Sequence, residues 1–366
     1  MRIGIVTKWL DEAYTGIGIY TYDLINSLLA LDKDNKYVFI HRKGGTSDVY
    51  THGEELFLPK IGPGPLWILD ANIFLSFKGK DLDIVHEPYI GLLLPSGFKQ
   101  VVTVHDLTPL IFDTGHPTFR LYFRTFMKKV VKRADAIIAI SENTKRDVVE
   151  RYGVPEERVH MIYNGVTHIP ADPKRTAKVR KHFGLDGPYI LTVGSLLPVK
   201  NQILAVEAFA RAVEKGHINH KLVLAGRKEN EYGRITAMVK KHGLGKRVVF
   251  TDYLDKDEIA SLYSAADMFL FPSLYEGFGR PPLEAMGYGV PVISSNSSSM
   301  PEIVADAGIL VDPKDRNAWA EAIMLLAQDE GVRKELIENG FRRAKELNWE
   351  RTGQETLKVY EAVGKA

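Results

Sequence analysis

Short runs rich in β-branched residues alternate with helix-length amphipathic stretches along this chain, and that alternation points to an α/β fold built on parallel sheets. The runs fall into two series. The first holds residues 3–7, 37–41, 83–86, 101–105, 136–140 and 159–163; the second holds 189–193, 221–225, 248–251, 268–271, 291–294 and 308–311. Between them lies a polar stretch, 168–175, with Pro170 and Pro173. Proline resists both helix interior and central strand, so this reads as a linker and places one domain at 1–170 and a second at 171–348. Beyond Asp312 the apolar spacing turns helical, with Trp319, Ile323 and Leu326, then Leu336, Phe341 and Leu347, and a last helix over 352–363.

At 366 residues the chain exceeds the usual size of one domain, and 45% hydrophobic with 26% charged residues leaves ample material for two cores. Its 48 basic and 46 acidic residues give a net charge of +2, which provides no global attraction to nucleic acid. Any anion site must be local. The absence of cysteine excludes disulfides, thiolate metal sites and cysteine nucleophiles, and fits a reducing compartment. Residues 2–7 are too short an apolar run for a signal peptide, and no segment approaches the ~20 apolar residues of a membrane span. The expectation is a cytoplasmic protein, with a peripheral contact at the inner face of the membrane left open.

Three segments carry chemistry. The first strand leads into residues 11–18, where Tyr14-Thr15-Gly16-Ile17-Gly18 precedes an amphipathic helix. A dinucleotide fingerprint would need a third glycine where Thr21 stands and an acid where His41-Arg42-Lys43 follows the second strand, which argues against NAD. Gly16 and Gly18 can still let backbone amides approach an anion at the helix start; a plain turn would use the same glycines. The second domain opens with a strand, then Gly194-Ser195, Lys200 and a helix from Gln202, which gathers an ammonium and free backbone donors suited to a diphosphate. Third comes Phe271-Pro-Ser-Leu-Tyr-Glu276-Gly-Phe278-Gly279-Arg280-Pro-Pro-Leu-Glu284. Here a strand ends, glycines make a loop, and a proline starts a helix with one glutamate before it and one inside it. Such carboxylates suit sugar and ribose hydroxyls and are a poor match to paired hydrolytic acids.

These residues resemble glycosyltransferase family 4, the retaining enzymes of the GT-B fold, across essentially the whole chain. The most specific match is Glu276-x7-Glu284; Ala266-Asp267, Pro301-Glu302, Thr103-Val-His105-Asp106, Ser141-Glu142 and Tyr163-Asn164-Gly165-Val166 follow in order and spacing. The resemblance implies two facing Rossmann-like domains, each with a parallel sheet, an interdomain cleft between them, and a C-terminal helix, 349–366, packing back on the first domain. It also implies a donor on the second domain, an acceptor on the first, and retention of configuration with no metal and no cofactor. By motif, Lys200 neutralises the departing diphosphate, Glu284 binds ribose, Glu276 touches donor-sugar hydroxyls, and the amides of Gly277, Phe278 and Gly279 lie near phosphate or sugar. His105 contacts the donor sugar, with Asp106 orienting it; a core histidine ending a buried strand would read the same. Ser195 stands where many family members carry arginine, so Arg280 is the candidate second cation; an exposed arginine beside two prolines would read the same.

The phrasing is nearest to mannosyl-type transferases of polysaccharide assembly, which makes GDP-mannose the first choice of donor and a UDP-hexose the second, with a glycan or lipid-linked acceptor. The rivals are a sugar-nucleotide epimerase, a glycoside phosphorylase and a non-catalytic nucleotide-sugar-binding protein. Residues 116–133 form a basic amphipathic stretch, Arg120, Arg124, Lys128, Lys129, Lys132 and Arg133 interleaved with Leu121, Tyr122, Phe123, Phe126 and Val130. With the apolar segment 65–75 it could dock on anionic lipid; a helix packed on its own sheet with solvated cations reads the same way.

Overall fold

A computed structural model describes residues 1–10, 16–42, 44–58, 81–89, 97–112, 117–216 and 218–365. The chain divides into two compact units, Met1–Gly165 with Leu347–Ala366, and Val166–Glu346.

Among the described residues the first unit holds seven strands: β1 (Arg2–Val6), β2 (Lys36–Arg42), β3 (Glu54–Leu58), β4 (Ile84–Glu87), β5 (Lys99–Val104), β6 (Ala136–Ala139) and β7 (Val159–Met161). They pair in parallel in the order β3-β2-β1-β4-β5-β6-β7. Parallel neighbours need a crossover, and the helix Gly16–Leu31 supplies the one between β1 and β2. On the far half of the sheet, Val102, Val104, Ile137 and Ala139 pack with Phe123, Met127, Val130 and Val148 in one buried cluster. Phe123 and Met127 belong to a π-helical turn, Phe123–Met127, set between the helices Pro117–Tyr122 and Lys128–Arg133.

The last helix, Trp349–Lys365, packs on Gly16–Leu31 at very close range. Ser27 Oγ donates to the Trp349 carbonyl at 2.6 Å, and a Cβ on Gly353 would stand 2.3 Å from Ser27 Oγ. Only glycine permits that approach.

The second unit holds β8 (Tyr189–Val193), β9 (Lys221–Ala225), β10 (Val248–Asp252), β11 (Met268–Phe271), β12 (Val292–Ser295) and β13 (Gly308–Val311), in parallel in the order β10-β9-β8-β11-β12-β13. The helices Gln202–Glu214 and Arg316–Gln328 bury Leu204, Phe209, Trp319 and Ile323 in one cluster with Ile190, Leu222, Met268 and Ile293 of the sheet. The division between units falls five residues before the expected boundary because Tyr288 Oη donates to the Ile169 carbonyl and His168 packs on the Tyr288 ring at 4.4 Å. The linker is also shorter than its prolines suggest. Asp172 caps Lys174 N at 2.9 Å, and Pro173 opens the helix Pro173–His182, the one place in a helix where proline costs nothing.

In each sheet the first strand of the unit has neighbours on both sides, β2 and β4 around β1, β9 and β11 around β8. The chain reverses its direction of winding there, and the carboxyl ends of those strands are where an open α/β sheet takes ligands.

Candidate functional site

The edge above β8 and β11 is assembled from the loops after β8, β9, β11, β12 and β13. β8 is followed by Gly194, whose φ of 151° demands glycine, and its amide donates to the Ala225 carbonyl at 2.8 Å. The turn after β9 comes closer still: a Cβ on Gly226 (φ 152°) would lie 2.2 Å from the Gly194 carbonyl oxygen. Beyond Gly194 a short 3-10 turn, Pro198–Lys200, delivers Lys200, and Asn201 takes a left-handed φ of 54° to start the Gln202–Glu214 helix. Asn201 Nδ2 donates to the carbonyls of Pro272 at 3.2 Å and Pro313 at 3.0 Å, pinning the loop after β8 to those after β11 and β13.

That pinning brings Lys200 Nζ within 2.6 Å of Glu276 Oε1, with the ammonium 5.7 Å from the centre of the Phe271 ring. Ser273 Oγ donates to the same carboxylate oxygen at 2.6 Å. The backbone is held as firmly: Glu276 N donates to Ser298 Oγ at 2.8 Å, and Ser299 Oγ lies 3.0 Å from the carbonyls of both Glu276 and Phe278. Ser298 itself sits at a φ of 51°. Left-handed non-glycine residues cost energy and gather where surrounding contacts enforce a working geometry, as Asn201 and Ser298 do here.

One turn further on, Gly279 (φ 92°) precedes the helix Arg280–Gly287, and a Cβ there would overlap Met300 Cε at 2.0 Å. Arg280 Nε lies 2.8 Å from Glu284 Oε1 without a hydrogen-bonding angle, so the contact is an ion pair. Glu284 Oε2 accepts from Tyr263 Oη at 3.0 Å. Burial and the adjacent Glu284 hold the Tyr263 phenol well above its ordinary pKa, so it stays a donor. Tyr288 stacks on Tyr263 at 5.5 Å. Glu284 also lines a cavity of about 220 Å³ with His168, Tyr288 and Lys345. Arg280, the candidate second cation, is paired with Glu284 as Lys200 is with Glu276. Pro281 and Pro282 remove two amide donors from this helix start, so side chains must supply much of any anion binding here.

In the first unit His105 follows β5. Its Nε2 is 2.7 Å from the Pro88 carbonyl, which only accepts, so Nε2 carries the proton and Nδ1 is the acceptor of the neutral ring. Burial pulls the imidazole below its ordinary pKa, a pull that the Pro88 carbonyl and Asp106 partly offset. Tyr20 meets the ring edge-on at 4.7 Å. Asp106 does not orient it: Asp106 Oδ1 accepts from Thr108 N at 2.8 Å and starts the next short helix. Gly16 and Gly18 are likewise placed differently from a loop. Both lie in the first turn of the Gly16–Leu31 helix, neither at positive φ, and a Cβ on Gly16 would meet nothing within 4 Å among the described residues. Residues 11–15 ahead of them, the apolar segment 65–75 and residue 116 lie outside the described residues.

Lys200, Glu276, Gly194, Gly277, Phe278, Gly279, Arg280 and Glu284 thus share the second unit's edge, and Ser195 adjoins Gly194 there. Sequence reasoning missed Ser273, Ser298, Ser299 and Tyr263. The run Ser297-Ser298-Ser299 directly after a strand was a usable signal; nothing local marks Tyr263.

Residues 174–343 match the family Glycosyl transferases group 1, and residues 14–168 match Glycosyltransferase Family 4. The chain is a family 4 glycosyltransferase. It is similar to O-antigen chain mannosyltransferase B of Escherichia coli, 29% identical over 99% of this glycosyltransferase and 100% of that protein. It is also similar to the serotype-specific mannosyltransferase WbdA of Escherichia coli, 30% identical over 70% of this chain and 32% of the longer protein. Among solved structures, sucrose-phosphate synthase from Thermosynechococcus elongatus superposes with a TM-score of 0.79 at 24% identity, over 99% of this chain and 98% of that one. The fold is GT-B, with two Rossmann-like units of seven and six described strands.

Proposed function

We propose that this glycosyltransferase moves a hexose from a nucleotide diphosphate donor to a glycan or lipid-linked acceptor, with retention of configuration and without a metal. GDP-mannose is the preferred donor and a UDP-hexose the second choice. The observation that carries the reading is the pair of cation–carboxylate contacts, Lys200–Glu276 and Arg280–Glu284, at the ligand-binding edge of one Rossmann-like sheet. The full-length similarity to a protein named as an O-antigen chain mannosyltransferase supports the choice of sugar.

Transfer builds negative charge on the leaving diphosphate and positive charge on the sugar ring. A donor diphosphate draws Lys200 and Arg280 off their carboxylates, and sugar and ribose hydroxyls then donate to Glu276 and Glu284. Without ligand each cation is matched by its own carboxylate; the diphosphate brings further negative charge, which the two cations meet while the carboxylates accept from hydroxyls. His105, with Nδ1 as its acceptor, takes a donor-sugar hydroxyl. We favour displacement on one face: the bond from the anomeric carbon to phosphate oxygen breaks as the acceptor oxygen bonds to that carbon, and the acceptor proton passes to the leaving phosphate. A glycosyl group trapped on Glu276 would overturn this. The test is a thermal-shift and calorimetric screen of GDP, UDP, ADP and their sugars with and without EDTA. Stabilisation by GDP-mannose that survives chelation is expected; stabilisation only with a divalent ion overturns the clamp.

The stretch 117–133 favours a peripheral station at the inner membrane face. Phe119 and Leu121 are exposed, and Arg120, Arg124, Lys128, Lys129, Lys132 and Arg133 form no ion pair among the described residues. No helix among the described residues is long and apolar enough to cross a membrane. Co-sedimentation with phosphatidylglycerol vesicles at low salt, lost at high salt and absent with phosphatidylcholine, is expected; no binding at low salt removes this assignment.

A further inference from the structure

Four polar groups join end to end in the interior of the first unit, directly behind His105. Tyr360 Oη, on the C-terminal helix, is 2.5 Å from His86 Nδ1; His86 Nε2 is 2.8 Å from Thr103 Oγ1; and Thr103 Oγ1 is 3.2 Å from Tyr20 Oη. Tyr360, His86 and Thr103 are wholly buried, and Tyr20 is 3% exposed. Burial, helped by the neighbouring His105, pulls the His86 pKa down to about 3, so the ring is neutral; burial likewise keeps Tyr20 and Tyr360 protonated. A neutral imidazole donates from one nitrogen and accepts at the other. Tyr360 and Thr103 therefore cannot both donate to His86, and the choice made at the C-terminal helix carries across the ring to Thr103.

The chain ends on the two supports of His105. Tyr20 presses on the His105 ring edge-on, at 4.7 Å and 88°, and Trp349 of the same C-terminal helix contacts Tyr20 from elsewhere at 5.7 Å. The Pro88 carbonyl that accepts from His105 Nε2 lies two residues beyond His86. An apolar interior would fill this space at lower desolvation cost, since each polar group must find a partner when buried. What a satisfied polar chain adds is directional geometry.

We propose that Tyr360, His86 and Thr103 are positioning residues for glycosyl transfer: a hydrogen-bonded chain through which the C-terminal helix sets Tyr20 and, against it, the plane of His105. The inference rests on the assignment of His105 to the donor sugar. Tyr360→Phe and Thr103→Val each remove one hydroxyl with almost no change of volume, and His86→Leu removes the centre.

The experiment measures nucleotide release from GDP-mannose or UDP-glucose, whichever the wild type turns over, together with the imidazole 15N and 1H resonances of His105. Tyr360→Phe and Thr103→Val are each expected to lower kcat about tenfold with donor KM held within about twofold, the signature of a misplaced group rather than lost binding. The double variant falls no further, since both act through one chain. The His105 resonances shift in each. Unchanged kcat with only a lower melting temperature, or additive losses, overturns the proposal, as do unmoved His105 resonances. If His86→Leu fails to fold, the two hydroxyl variants decide. His105→Ala separates the two readings: full turnover in that variant rejects the role of His105, whereas a shift of the His105 resonances in Tyr360→Phe without any loss of kcat rejects the positioning role alone.

Discussion

The edges at the carboxyl ends of the two sheets of this glycosyltransferase are made rigid by different physics. Above β8 and β11, charges meet charges: Lys200 with Glu276, Arg280 with Glu284, over a backbone pinned by Asn201, Ser298 and Ser299. Above β5, His105 stands on rings and a neutral polar chain, with a carbonyl rather than a carboxylate fixing its proton. The first arrangement suits a ligand that brings its own charge, because diphosphate and hydroxyls can take over each partner's role. The second suits a ligand of hydroxyls and shape. The contrast says which half should respond to charge reversal and which to loss of fit.

The sharpest way to break it is Lys200→Ala, which strands Glu276 and removes the cation. Turnover is expected to drop on the order of 10²–10³-fold, against about tenfold for Arg280→Ala, read by nucleotide release. Equal wild-type behaviour of Arg280→Ala would leave Lys200 as the whole clamp. Next comes Gly279→Ala, where φ is 92° and Met300 occupies the space of a Cβ: a stability loss of about 2–3 kcal/mol is expected by urea titration, with activity lost. Gly16→Ala, at a helical position with open space, changes stability by under about 1 kcal/mol.

Acid separates the edges further. His86 has its pKa drawn down to about 3 and His105 is lowered from 6.5, so below pH 6.5 the unfolded chain binds protons that the first unit refuses. The His86 contribution is therefore full above 6.5 and is lost as pH falls toward 3, by about 1.4 kcal/mol per pH unit, and His105 acts in the same direction. In the second unit, Asp267 is held below its ordinary value first by His220 and then by Arg333, so its contribution is lost only as pH falls below 3.8. Hydrogen exchange at pH 7 and pH 5 should show the first unit opening and the second unmoved; equal opening would erase the contrast. The smallest effect is expected from Arg120→Ala with Arg124→Ala, about 1 kcal/mol per charge in vesicle binding, with turnover of soluble donor unchanged.

Much of this architecture can be read from local pattern, because parallel strands and their helices announce themselves in consecutive residues. β3 escapes that reading: Glu54-Glu55-Leu56-Phe57-Leu58 has no β-branched residue, and as an edge strand it is largely exposed. Glu276 and Glu284 are legible because loop and helix start lie within one short segment. Ser298 and Ser299 leave only a weak trace, a serine run after a strand, and Tyr263 leaves none, since it reaches the site from a separate helix, Lys256–Ser264. Distance along the chain hides the path from Tyr360 to Tyr20. Asp106 was misread for the opposite reason, a sequence neighbour taken for a partner when its nearest need was the amide of Thr108.

The meeting of Gly194 and Gly226 bears on how such an enzyme can be altered. With the two turns in contact, neither is a separate part. A loop transplanted in place of the Gly194 turn keeps its shape only if residue 226 leaves it room, and a side chain gained at 226 would be felt first as a displacement of the turn across the neighbouring strand. A change that enlarges one turn must be matched by room in the other.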